Sequence, residues 1–226
     1  MFPGDYQFTA EFAPSGEPRI AQIAAFLHLL ETGFAIDDWG DDHPKNGVTL
    51  ESVRSAYLTA AKERKHPDLN TPLVRTFGTT DLRLRAIVCS GAKPVQGAFD
   101  DSVNLMFDGD WRKPDPKLFL DIIATWGAFQ AQLIRCKGQR EIEPQERIHR
   151  FGRYKPAALF GLDFFAERAL TNLGGREYVL KTPAHRVSEY LNGVLIELVP
   201  GYYFNYENPE HHRIQQEAMR YLEIDR

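Results

Sequence analysis

The period of the hydrophobic positions changes along this chain, and each change marks an element. From Tyr6 to Phe12 aromatic and polar residues alternate, with Tyr6, Phe8, Ala10 and Phe12 on one side, as in a half-buried strand. Pro14-Ser15-Gly16 breaks that strand. Between Pro18 and Glu31 the apolar positions Ile20, Ile23, Ala24, Leu27 and Leu30 follow helical spacing, and Thr32-Gly33 supplies a stop. The polar stretch Asp37 to Gly47 predicts a loop. Thr49 or Ser52 then caps a second helix running to about Lys65, with Leu50, Val53, Tyr57, Ala60 and Ala61 as its apolar side. His66-Pro67-Asp68 ends it, because the residue before a proline disfavours helix.

Strands are predicted over Leu82 to Cys89, with Leu82, Leu84 and Ala86 on one face, and over Ser102 to Phe107, with Val103, Leu105 and Phe107 inward. Pro114-Asp115-Pro116 opens a helix from Lys117 to about Trp126, on which Leu118, Ile122 and Trp126 share a face. Phe129 to Cys136 reads as a strand, and the charged stretch Lys137 to Arg150 as a surface connection. Further on, Pro156 to Ala169 is unusually aromatic, Glu177 to Leu180 reads as a short strand, and Pro183 to Leu191 as helical or irregular. Asn192-Gly193 is a tight-turn signal before the strand Val194 to Val199. Asn208-Pro209-Glu210 begins a last helix, with Ile214, Ala218, Tyr221 and Leu222 as its core face.

This order predicts an α+β fold, a mixed or antiparallel sheet with helices packed mainly on one face. The 226 residues read as one domain, 1–226, within which 1–136 and 151–226 can form subdomains on either side of the charged connection. Hydrophobic residues at 43% and charged residues at 26% supply an ordinary globular core. A net charge of -4 disfavours a general nucleic-acid binder, which needs basic side chains to displace counterions, and is compatible with a basic protein partner. No basic segment followed by an apolar stretch opens the chain, and the longest apolar run, Ile20 to Leu30, is too short and too interrupted to span a membrane. The expected compartment is the cytoplasm. Cys89 and Cys136 lie among apolar residues and outside any C-x-x-C pattern, which predicts reduced, buried thiols.

Candidate chemistry is sparse. Gly174-Gly175 lacks the further residues of a phosphate loop and reads as a turn. Ser90, at a strand end, has no assignable base. His211 and His212 are adjacent on a helix and diverge by about 100°, whereas ligating pairs sit four apart. Asp37, Asp38, Asp41 and Asp42 cluster around Trp39, with His43 beside them. Their functional reading is a docking patch for a basic partner; the plainer one is a solvated loop with Trp39 in the core. Asp100, Asp101, Asp108 and Asp110 form a second acidic group around a strand. No catalytic residue, cofactor or metal is expected.

Five segments together resemble the immunity protein 52 family of bacterial polymorphic-toxin systems. They are Leu27 to Trp39, Thr125-Trp126-Gly127-Ala128-Phe129, Phe160-Gly161-Leu162-Asp163-Phe164-Phe165, Leu191 to Leu198, and Asn208-Pro209-Glu210-His211. The resemblance implies a non-enzymatic protein that binds and occludes a cognate toxin delivered by a type VI secretion system. Such families are often encoded beside nucleases of restriction-endonuclease fold, whose clefts must be basic to hold phosphate. On that reading Asp37, Asp38, Asp41 and Asp42 make the toxin contacts. Two other classes stand beside it: a metal-dependent hydrolase using His185, His211 or His212, and a secretion adaptor or chaperone for an effector.

Overall fold

The computed structural model describes residues 5–36, 39, 47–63, 73–93, 100–136, 156 and 158–224. It is an α+β fold whose described chain falls into two compact units, Thr9–Ala128 with Asp5, and Phe129 onward with Tyr6–Phe8. The division falls before the strand that follows Ala128, so that strand belongs with the C-terminal half.

The first unit begins with β1 (Tyr6–Phe12), of which Thr9–Phe12 belongs here, then α1 (Ile20–Phe34) and α2 (Leu50–Glu63). β2 (Leu73–Gly78), β3 (Leu84–Ser90), β4 (Asp101–Phe107) and α3 (Lys117–Trp126) follow. Its strands lie in the order β2-β3-β4-β1, and β2, β3 and β4 pair antiparallel. The register lines up Phe77, Ala86 and Leu105 across three strands, all buried, while residues one step out of phase stay partly exposed. This is the expected alternation of a sheet with one covered face. Phe12 stacks on Trp126 at 4.5 Å, and Phe34 meets Phe107 edge-on at 5.3 Å. The apolar stripes of α1 and α3 thus close over the strands.

Several expectations are corrected here. α1 does not stop at Thr32-Gly33; it runs through Gly33 and ends at Ala35, whose φ of 45° is left-handed. Gly33 serves close packing instead, since a Cβ there would lie 2.8 Å from the Leu118 side chain. Thr49 is the cap of α2: its hydroxyl accepts from Ser52 N–H, and the Ser52 hydroxyl accepts from Thr49 N–H. Leu50 is 58% exposed and does not join the apolar face with Val53 and Tyr57; the Ala60 and Ala61 side chains lie outside the described residues. Leu82 sits in the turn before β3 with φ 58°, so it is not part of that strand's inner face. β2 had no counterpart in the hydrophobic pattern. Of its six residues only Phe77 is fully buried, and Arg75 takes an inward position across from Val88.

The second unit contains β5 (Gln130–Arg135), β6 (Leu162–Ala166), the short helices α4 (Glu167–Leu170) and α5 (Arg176–Val179), β7 (Arg186–Tyr190), β8 (Gly193–Glu197) and α6 (Pro209–Tyr221). Its strand order is β5-β6-β8-β7, all antiparallel, with Tyr6–Phe8 of β1 beside β5. β6 and β8 are buried at every position. Ile134, Leu159, Phe165, Val194, Ile196, Ala218 and Met219 belong to one core cluster. Asn208 caps α6 by accepting from Glu210 N–H, and Pro209 occupies the first turn.

Two assignments are exchanged in this unit. Glu177 to Leu180 is a helical turn, not a strand, and Pro183 to Leu191 contains β7, not a helix. The β-formers Tyr178, Val179 and Leu180 are overruled by Gly175, whose carbonyl accepts from Val179 N–H to close the turn. The β7–β8 turn is Leu191-Asn192, one residue earlier than the Asn-Gly signal implied, because Tyr190 pairs with Gly193. Gly193 is needed for closeness: a Cβ would come within 2.4 Å of Phe165 O. No helix among the described residues is long and apolar enough to cross a membrane.

Candidate functional site

Asp37, Asp38, Asp41, Asp42 and His43 lie outside the described residues. The elements around them are clear. Arg112 donates to Phe34 O and, at 2.8 Å, to Ala35 O, placing a cation on the carbonyl end of α1. Its guanidinium also lies 4.9 Å over the Trp111 ring, which stacks on Phe34. Trp39 is only 4% exposed, and its indole N–H donates to Glu31 Oε1 at 3.2 Å. That tryptophan is a core residue rather than an exposed docking anchor.

The second acidic group separates by role. Asp101 is fully buried and accepts from Ser15 N–H, the Ser15 hydroxyl, Gly91 N–H and Ala92 N–H, with Arg19 3.9 Å away. It ties the start of β4 to two loops, a structural task. Asp108 accepts from the N–H groups of Asp110 and Trp111 and so shapes the turn after β4. Asp5 joins Asp108 and Asp110, with one carboxylate oxygen from each inside a 4.8 Å group. This spot concentrates negative charge and has hard oxygen donors. The sequence pattern missed Asp5 because about a hundred residues separate it from its partners; only the adjacency of β1 and β4 unites them.

The histidines are committed to packing. His211 Nδ1 accepts from Asn205 N–H at 2.9 Å, and burial lowers its pKa from the ordinary histidine value. His212 Nε2–H donates to Tyr206 O at 2.7 Å, and both rings lie against Phe204. They fasten the 204–206 loop to the first turn of α6. His185 contributes its backbone N–H to Leu198 O. Among the described residues, none of the three belongs to a group with metal-ligand spacing. Ser90 is buried and its hydroxyl accepts from Arg19 N–H, which gives it a structural use. The thiols are not both buried: Cys89 is half-buried, out of phase with Ala86 and Val88, and Cys136 is exposed just past β5.

A buried polar network in the second unit was not apparent from the pattern. Asp163 lies among the aromatic residues of β6, fully buried. Its Oδ1 accepts from Gln132 Nε2 at 2.6 Å and its Oδ2 from Phe160 N–H at 2.8 Å. Burial pushes its pKa up to about 7, against the lowering effect of those two hydrogen bonds. Gln132 also donates to Ala158 O, and Gln215 of α6 donates to Leu159 O. The only signal in the sequence was a single acid between Leu162 and Phe164, in a strand otherwise free of polar residues. Nearby, Glu197 is 6% exposed and paired with Arg186 at 2.9 Å, and it accepts from Gly201 N–H.

No family model and no curated protein matches this chain. Among solved structures it is similar to the T6SS protein PA0821 of Pseudomonas aeruginosa, with a TM-score of 0.60 and 12% identity, over 96% of this chain and 72% of that one. The likeness is one of fold.

Proposed function

We propose that this chain is the immunity partner of a toxin delivered by a type VI secretion system, and that it acts by stoichiometric binding rather than catalysis. The observation that carries the reading is the fold held in common with a T6SS protein across 96% of the chain. The resemblance of five segments to immunity protein 52 narrows that association to toxin neutralisation. The commitment of His211 and His212 to backbone contacts weighs against the metal-dependent hydrolase.

Within the first unit, Asp37, Asp38, Asp41 and Asp42 follow α1 directly in sequence, and Asp5, Asp108 and Asp110 add a second negative spot. A nuclease cleft carries basic side chains for phosphate, so acidic groups presented to it speed encounter and occlude it. Co-expression with the toxin encoded beside this gene should restore growth, and the two proteins should co-purify. Binding without rescue would instead identify a secretion adaptor or chaperone, and failure of both assays would remove the reading. Replacing all four aspartates of 37–42 by asparagine should slow association about tenfold at low salt and much less at high salt. A salt-independent rate unchanged by the replacement would dissociate the acidic segment from the interface.

A further inference from the structure

Asp163 is a buried carboxylate with no cation among its described hydrogen-bond partners, and both of its oxygens are occupied as acceptors. It faces Gln132 directly across the β5–β6 pair and Ile196 across the β6–β8 pair. Gln132 cannot turn freely, because the same Nε2 that donates to Asp163 donates at 3.0 Å to Ala158 O. A proton on Oδ1 would point at an N–H donor. If the amide rotated to accept that proton, its oxygen would be brought against Ala158 O. A proton on Oδ2 would face the N–H of Phe160. On either occupied lone pair the proton displaces a bond that holds residues 158–160, and on the others it leaves a neutral oxygen whose hydrogen bond loses its charge assistance.

We propose that Asp163 is an ionisable latch. Its carboxylate, directly at Phe160 N–H and through Gln132 at Ala158 O, holds the segment Ala158–Phe160 on β5 and β6, and protonation releases that segment. The inference stands apart from the proposed toxin binding.

Among the described hydrogen bonds, Asp163 is the titratable group that holds residues 158–160. From β5 come Gln132 and, at its end, Arg135 and Cys136; from β8 comes Ile196. α6 brings Gln215, while His211 and His212 engage Asn205 and Tyr206 O. Tyr206, which shares electrostatic influence with Asp163, Arg135 and Cys136, is itself pushed up to about 12 by burial. Residues 158–160 contribute only the buried apolar side chains of Ala158, Leu159 and Phe160.

The test is amide hydrogen exchange on the full chain between pH 8.5 and 5.5, corrected for the intrinsic pH dependence of exchange. Protection of the Phe160 amide should fall about tenfold or more across the titration of Asp163, the loss of one charge-assisted hydrogen bond. Amides of β8 should not follow. Asp163→Asn, a permanently uncharged side chain, should show the low protection throughout and no step. Carboxyl-carbon NMR on the wild-type protein gives the Asp163 titration directly, so the outcome does not depend on that variant folding. A Phe160 amide that stays equally protected over the range, or a step displaced from the Asp163 midpoint, overturns the latch.

Discussion

In the first unit each central strand has a wet side. β3 turns Leu84, Ala86 and Val88 inward while Arg85 is exposed and Ile87 half-exposed; β4 does the same with Val103, Leu105 and Phe107 against Ser102, Asn104 and Met106. In the second unit β6 and β8 have no such side, and every residue of both is buried. A polar group in the first unit can usually turn to water. One in β6 or β8 must find its partner within the protein, as Asp163 does with Gln132 and Phe160 and Glu197 does with Arg186 and Gly201. The second unit is therefore the less forgiving of substitution, and its glycines show this most sharply.

The largest effect is expected at Gly161. A Cβ there would lie 1.7 Å from Tyr202 O and 2.7 Å from Tyr202 C, backbone atoms that cannot step aside. Gly161→Ala should cost roughly 4 kcal/mol or more, or leave the second unit unfolded, as judged by urea denaturation. A change under ~1 kcal/mol would mean that the 200–204 turn is far softer than its buried Tyr202 and Phe204 indicate. Asp101→Ala challenges the comparison from the other side, because this buried carboxylate belongs to the wetter unit. Removing it strands the Gly91 and Ala92 N–H groups together with Ser15, at a cost of about 3 kcal/mol. A much smaller loss would show that water reaches these donors and that the first unit tolerates even its buried polar changes.

Next in size is a pH effect confined to the second unit. Because burial raises the Asp163 pKa from 3.8 to about 7, the native state holds a proton that the unfolded chain has released. Burying the charge costs more than its two hydrogen bonds offset. Global stability from this group is therefore fully present below about pH 4 and is lost as pH rises to about 7, although residues 158–160 are held most tightly by the charged form. His211 works in the opposite sense: its lowered pKa means stability is lost as pH falls below the ordinary histidine value of 6.5. Urea midpoints across pH 4 to 8 should flatten on the alkaline limb in Asp163→Asn and on the acid limb in His211→Gln. Unchanged profiles would exclude both groups as titrating contributors.

The same contrast decides what the sequence revealed. Where a strand has one wet face, alternation announces it, and β1, β4 and the helix Lys117–Trp126 were readable to within a residue or so. Where both faces are buried the period disappears: Phe160 to Phe165 showed only as an aromatic run, with Asp163 unremarked inside it, whereas the equally buried β8 was marked by the Asn192-Gly193 turn signal before it. β2 escaped for a third reason: its inward positions include a half-buried Arg75, so hydrophobicity did not mark them. The Asn192-Gly193 signal already demanded a strand on each side, and applying hairpin logic backwards would have found β7. For the site, long-range assembly was the obstacle. Asp5 meets Asp108 and Asp110 through strand adjacency, and the 37–42 aspartates were legible as charge but not as geometry.

Two changes in the first unit should be small. Thr49→Ala removes the α2 cap and should cost about 1 kcal/mol. Gly33→Ala is the direct counterpart of Gly161→Ala, a Cβ added where close contact already exists. Its nearest neighbour is the Cδ2 atom of Leu118 at 2.8 Å, the far end of a side chain that can shift by a few tenths of an ångström. Gly33 also lies inside α1, where alanine is favoured over glycine by about 1 kcal/mol. The clash and the propensity oppose each other, so the net change should stay within about 1 kcal/mol of zero. If Gly33→Ala proved as damaging as Gly161→Ala, the packing of α1 on α3 would be as rigid as the doubly buried strands, and wet strand faces would no longer explain why the first unit yields.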